Sequence, residues 1–124
     1  MTSNLGRAGE ELTARHYEAQ GYTLVAKNFR PPFGKQTGEL DLIESKEKEL
    51  VFVEVKTRSG TKFGTPFDSV DKSKQKKLVT TAKIFLKLNP KFKDYNIRFD
   101  VAAVDIDNWQ EPVIILMNAI EDLD

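Results

Sequence analysis

The chain contains no cysteine. Disulfides, thiolate metal sites and cysteine catalysis are therefore excluded, and the protein can live in a reducing cytosol. No apolar run approaches the roughly 20 residues that a membrane-spanning helix needs. The opening MTSNLGRAGEEL lacks the apolar core of a signal peptide. A soluble, cytoplasmic protein without a membrane partner is the expectation. An excess of charge of one sign is missing too, since 19 basic and 19 acidic residues cancel. Internal repeats and low-complexity tracts are also absent. At 124 residues the chain fits one domain spanning 1–124. A chain of this size buries about two-thirds of its unfolded surface, enough for a core without staples.

The distribution of charge says more than its total. Between Lys72 and Lys93 lie eight lysines and no acid, whereas Asp105, Asp107, Glu111, Glu121, Asp122 and Asp124 make the C-terminal end acidic. A local basic surface can bind phosphates at zero net charge. A lysine-rich solvated helix explains the same run equally well.

Periodicity predicts a helix over 3–20, with Ser3 or Asn4 as cap, Gly21 as its end, and Leu5, Ala8, Leu12 and Ala19 on its apolar face. His16 would partly fill the edge of that face beside Leu12. Residues 22–29 read as a strand, and Pro31, Pro32 and Gly34 place a loop over 30–38. ELDLIES (39–45) and LVFVEVK (50–56) alternate with period two and form a β-hairpin. A loop with Gly60, Gly64 and Pro66 follows. A second helix covers 70–89, with Leu78, Val79, Ala82, Phe85 and Leu86 buried and Asn89-Pro90 as its stop. The stretch 97–106 is apolar enough for a central strand. A last strand, 113–117, follows a turn around Asn108. The order αβββαββ implies an α/β domain with a mixed sheet flanked by helices.

The hairpin carries the chemistry. Alternation puts Val51, Val53 and Val55 on one face and Leu50, Phe52, Glu54 and Lys56 on the other. Leu40 and Leu42 share a face, as do Glu39, Asp41, Ile43 and Ser45. Matching the faces sets Ser45 opposite Leu50, with Lys46 to Glu49 as the loop. Ile43 then meets Phe52, Asp41 meets Glu54, and Glu39 meets Lys56. Like charges directly opposite destabilise a sheet, and a divalent cation between Asp41 and Glu54 would remove that penalty. Carboxylate oxygens with open water positions suit Mg²⁺. Lys56, one pleat beyond, would orient the attacking water or stabilise charge on a phosphate. A half-solvated hairpin can also carry Glu and Lys on its wet face with no metal at all.

In the second helix Lys72, Lys76, Lys83 and Lys87 form a stripe, with Lys72 and Lys76 as substrate-side candidates. Lys74 and Gln75 fall on the core side of its first turn. They read as substrate-binding residues, or as one arm of a salt bridge to Asp41 or Glu39. Arg58 shares the parity of Lys56 and would contact a neighbouring phosphate or be solvated. Arg98 and Asp100 read as a structural pair on the central strand. Trp109, next to a turn, needs no function.

These residues carry a resemblance. G-E-L-D-L-I followed by V-F-V-E-V-K-T-R resembles the PD-(D/E)xK nuclease superfamily, whose core is restriction-endonuclease-like. Gly6…Glu10, Gly38–Asp41, Glu54–Arg58, Ser69–Gln75 and Arg98–Val101 together are similar to the YraN-like family of small bacterial proteins, itself similar to archaeal Holliday junction resolvases. The resemblance covers nearly the whole chain. It implies Asp41 and Glu54 as metal ligands, the Val55 carbonyl as a further ligand, Lys56 as the catalytic lysine, and Glu10 reaching the site from the first helix. It also implies Mg²⁺, with Mn²⁺ as a substitute, and nucleic acid, DNA in the first place, as partner. A homodimer is an admitted arrangement. Two departures stand out: Leu40 replaces the superfamily's proline, and the loop 31–37 is longer than the family pattern. Two further readings stay open, a non-catalytic nucleic-acid-binding module on the same scaffold and a protein–protein adaptor.

Overall fold

A computed structural model describes residues 4–33, 38–59 and 71–120. Ser3, Val70, the glycines and proline of the 60–70 loop and the tip of the 31–37 loop lie outside the described residues. Helix α1 spans Asn4–Ala19, strand β1 Thr23–Phe29, β2 Leu40–Lys46, β3 Glu49–Arg58, helix α2 Lys72–Leu88, β4 Asn96–Asp105 and β5 Val113–Leu116. This is the expected order, with one addition, a short 3₁₀ turn at Pro90–Phe92. The five strands form one mixed sheet in the order β1-β2-β3-β4-β5. Only the β3–β4 pair is parallel, because α2 carries the chain back between them.

The hairpin register agrees with the alternation argument: Ser45 pairs with Leu50, Ile43 with Phe52 and Leu42 with Val53. The connection is tighter than expected. Lys46 still pairs with Glu49, so two residues turn rather than four, and Glu47 takes the left-handed φ of +56° that such turns demand.

The two faces of the sheet hold two cores. Ile43, Leu50, Phe52, Phe99 and Val101 pack with Leu78, Val79, Ala82 and Phe85 of α2. Phe52 and Phe85 meet edge to face at 5.9 Å. On the other face Leu42, Val51, Val53 and Ala102 pack with Tyr17 of α1. Leu40 departs from its expected partner Leu42 and joins the α2-side core. The β2–β3 ladder has ended by then, at Leu42–Val53, so strict alternation no longer fixes which way Leu40 points.

Helix α1 corrects a sequence expectation. Its buried residues are Gly9, Thr13 and Tyr17, whereas Leu5 is 38% exposed and Ala19 is also exposed. Thr13 returns its hydroxyl to the Gly9 carbonyl at 2.8 Å. Tyr17 donates to Asp100 Oδ2 at 2.6 Å. The docking face is therefore small and polar, matched to a buried acid on β4. Arg98 completes that group with bonds of 2.9 and 3.0 Å to Asp100, as expected of a structural pair. Gly9 permits the close approach: a Cβ there would overlap Thr57 Oγ1 and lie 2.9 Å from Thr57 Cβ. His16 sits half-buried at the helix edge, 3.0 Å from Gln20.

Helix α2 is capped by Asp71, whose carboxylate accepts from Lys74 N at 2.9 Å. Asn89 ends it, with its amide on the Phe85 carbonyl at 2.9 Å. Trp109 is 82% exposed, next to the turn that precedes β5. Among the described residues, no helix is long and apolar enough to cross a membrane.

Candidate active site

Beyond Leu42–Val53 strands β2 and β3 separate, and the gap between them forms the site. Asp41 turns its carboxylate into this gap, where Oδ2 accepts the Val55 N–H at 2.7 Å. The side chain thus replaces the ladder bond that β2 no longer makes. A strand residue points its N–H and C=O to the same side, so the Val55 carbonyl also faces the gap. Glu54 stands opposite, and the two carboxyls lie within hydrogen-bonding reach of each other. Burial first, then the contact with Glu54, push the Asp41 carboxyl up to about 9. In the metal-free protein near neutral pH, the pair accordingly holds a proton.

The α1 docking face sends Glu10 to the same cavity. That cavity has a volume of about 680 Å³ and is walled by Glu10, Glu39, Asp41, Glu54, Lys74 and Lys77, among others. Burial raises the Glu10 carboxyl above the usual range, with Glu39 and Glu54 adding to it and Asn28 opposing. In the orientation that satisfies its neighbours, the Asn28 amide donates to Glu39 Oε1 at 2.9 Å and lies 3.3 Å from both Glu10 oxygens. Asn28 was not foreseen from sequence. Its left-handed φ of +53°, which Asn tolerates better than most residues, aims the amide at the two acids. Its one sequence signal was an Asn interrupting a strand pattern just before Phe29-Arg30-Pro31.

The expected pairing of Glu39 with Lys56 does not form, since the ladder has already ended. Glu39 instead accepts from Arg30 at 2.6 Å. Lys74 lies 3.7 Å from Glu54 Oε2, so its acid partner is Glu54 rather than Asp41 or Glu39. Lys56 is half-buried beside Lys74. Burial and the neighbouring Lys74 depress its ammonium, while Glu54 and Asp41 oppose the shift.

Sequence reasoning therefore named residues that lie together: Glu10, Asp41, Glu54 and Lys74 share one cavity wall, while Val55, bonded to Asp41, and Lys56, beside Lys74, adjoin these residues without lining the cavity. Gln75 and Arg58 are half-buried and Lys72 and Lys76 exposed, and none of the four lines the cavity. Ser73 and Lys77 line it instead, because α2 presents the first turn's inner edge to the gap.

The donor set fits a hard divalent cation. Asp41 and Glu54 repel unless protonated or neutralised, and the Val55 carbonyl edge is adjacent. Among the described residues no group of three or more His, Cys, Asp or Glu side chains is arranged to hold a metal. The donor set that remains is two carboxylates with room for water, the kind of site Mg²⁺ takes.

Comparison with known proteins places the chain. The model of the uncharacterised protein family UPF0102 matches residues 9–104. The chain belongs to this family. A UPF0102 protein of Syntrophomonas wolfei is 37% identical over 119 residues, covering 96% of this chain and 99% of its own length. One from Caldanaerobacter subterraneus is 39% identical over 100 residues, covering 81% and 78%. One from Solibacter usitatus is 43% identical over 102 residues, covering 82% and 74%. The UPF0102 match contains every residue of the Asp41–Glu54–Lys56 set and Glu10.

Proposed function

We propose that this UPF0102 protein is a divalent-metal-dependent endonuclease of the PD-(D/E)xK type. It hydrolyses phosphodiester bonds of nucleic acid, with branched or otherwise structured DNA as the substrate class, as in Holliday junction resolvases. The observation that carries the reading is the acid pair. Asp41 and Glu54 face each other in a gap opened between two strands, with Lys74 3.7 Å from Glu54 and Lys56 beside Lys74. A fold gains nothing in stability from such a pair, whereas a cation site needs it.

Asp41, Glu54 and the Val55 carbonyl would hold Mg²⁺, or Mn²⁺ in its place. Bound there, the cation supplies Lewis-acid activation of water and neutralisation of phosphate charge. Asp41 must first release the shared proton. Lys56 orients the attacking water and stabilises charge that develops on the phosphate. Lys74, released from Glu54, is placed to meet a second phosphate oxygen. Glu10, held by Asn28, supplies a further anion at the cavity rim. The exposed Lys72, Lys76 and Lys87 of α2 offer the flanking backbone phosphates a basic face.

The test is a cleavage screen over duplex, flap, fork, four-way-junction and single-stranded substrates with Mg²⁺ or Mn²⁺. Glu54→Ala serves as the control against contaminating nucleases. Metal-dependent cutting by the wild type that vanishes in the control supports the reading. Tight binding of one substrate with no cutting of any would replace it with the nucleic-acid-binding module, which the basic face of α2 also favours.

A further inference from the structure

Lys74 enters the cavity from the first turn of α2. Its backbone there is fixed, because Asp71 caps the helix by accepting from Lys74 N at 2.9 Å. Its side chain is 38% exposed, lines the cavity, and ends with Nζ 3.7 Å from Glu54 Oε2. The Glu54 side chain is only 10% exposed and also meets the Asp41 carboxyl, so little of it is left for a further partner. Lys56 stands within hydrogen-bonding reach of Lys74. Two lysines thus crowd together beside one acid pair, and like charges so placed gain from an added anion.

A divalent cation at the acid pair needs Glu54 as a donor. An ammonium 3.7 Å from Glu54 Oε2 repels such a cation and competes for its ligand. It also offsets part of the negative charge that draws metal to the pair. A phosphodiester entering the cavity changes this balance. Ser73 and Lys77 line the same wall as Lys74, and Lys77, three residues on, shares its side of the helix. A phosphate held there draws Lys74 away from Glu54 on its flexible four-carbon stem, with the capped helix unmoved. Lys56 loses its crowding neighbour in the same step.

We propose that Lys74 is a resident counter-ion that keeps divalent metal off the acid pair until a nucleic acid phosphate draws it away. Metal and nucleic acid then bind with positive coupling, each tightening the other by the same factor. The inference rests on the reading of Asp41 and Glu54 as a cation site and adds an order to it. The protein alone holds metal weakly, and the complex with nucleic acid holds it tightly.

The experiment is calorimetric titration of the full chain with MnCl₂ at fixed ionic strength, for wild type, Lys74→Met, Lys77→Met and Glu54→Gln. Lys74→Gln is run beside Lys74→Met, so the comparison stands if one of them misfolds. Removing Lys74 should tighten Mn²⁺ binding about tenfold, within the usual range of coupling between sites. Lys77→Met removes an equal charge from the same wall and should tighten it by no more than about threefold. An equal gain in both overturns the proposal, since bulk charge then explains it. Binding that Glu54→Gln abolishes but loss of Lys74 leaves unchanged keeps the acid-pair site and overturns the counter-ion. No Mn²⁺ binding in any variant, the Lys74 variants included, overturns both. In a second arm, a phosphorothioate-linked single-stranded deoxyoligonucleotide is titrated by fluorescence anisotropy with and without MnCl₂. Mn²⁺ should tighten its binding several-fold more in the wild type than in Lys74→Met. Equal tightening, or none, overturns the coupling.

Discussion

Replacing Asp41 by Asn in the metal-free protein should stabilise the fold, and by an amount that grows with pH. Asn keeps the shape and lets its Oδ1 accept from Val55 N–H, as Asp41 Oδ2 does at 2.7 Å. Its amide can donate to Glu54, so only the extra charge is lost. The sign follows from proton linkage. The folded protein holds the Asp41 carboxyl at about 9, against 3.8 for the ordinary group. Between these values the folded state binds more protons than the unfolded one, so stability falls as pH rises. The favourable contribution is complete below the ordinary value and lost by the folded one. One proton corresponds to about 1.4 kcal/mol per pH unit, so three units, from pH 5 to 8, set a ceiling of about 4 kcal/mol. Because Glu54 shares the proton, roughly half of that is the working expectation. Glu10 and Glu44 carry raised carboxyls too, but they are common to both proteins and largely cancel in the difference. The assay is urea unfolding of wild type and Asp41→Asn in EDTA at pH 5, 6, 7 and 8. The stability difference should widen with pH in favour of the variant. Adding Mn²⁺ at pH 8 should stabilise only the wild type. A difference that stays flat across the pH range, or a wild type indifferent to Mn²⁺, would refute the reading of Asp41 and Glu54 as a charge pair awaiting a cation.

Lys56→Ala should lower the cleavage rate by about 10²–10³-fold, the usual loss for one preorganised stabiliser of transition-state charge, with substrate affinity nearly unchanged in a filter-binding assay. Combined replacement of Lys72, Lys76, Lys83 and Lys87 by Ala should flatten the dependence of log affinity on log salt by about one counterion per lost phosphate contact. Unaltered slope and affinity would show α2 to be a solvated face only. Gly9→Ala should destabilise by about 1–3 kcal/mol in the same urea assay, because its new methyl meets Thr57. The variant should also lose more cleavage activity than Ala8→Ser, since moving α1 moves Glu10.

Most of the sheet was legible because its strands obey period two where both faces are covered. In β3, Val51 and Val53 go to one core and Leu50 and Phe52 to the other, and a slip of one residue would have put valines against carboxylates. The same reasoning failed where pairing stops. Leu40 and Glu39 lie past the last β2–β3 pair, so their partners are set by α2 and Arg30, which no local pattern encodes. The turn was misjudged by two residues because Glu47 accepts a left-handed conformation that sequence reserves for Gly or Asn.

Helix α1 failed for a different reason, and that reason bears on the site. Counting apolar residues assigns a helix's buried face by hydrophobicity, and on that count Leu5, Ala8 and Leu12 outweigh Gly9, Thr13 and Tyr17. The sheet beneath is not uniformly apolar: it presents Asp100 and Arg98 to this helix. Tyr17 can bury its ring against Leu42 and Val53 while its hydroxyl meets Asp100, which no leucine could do. Gly9 lets the backbone close on Thr57. The polar anchor fixes the rotation of the helix, and the rotation aims Glu10 into the gap where β2 leaves β3. Had α1 docked through its leucines, Glu10 would have faced away from Asp41. The Arg98–Asp100–Tyr17 group thus acts on the candidate site at a distance, by setting the angle of a helix. A residue that reads as structural in the sequence is what brings Glu10 to the cavity.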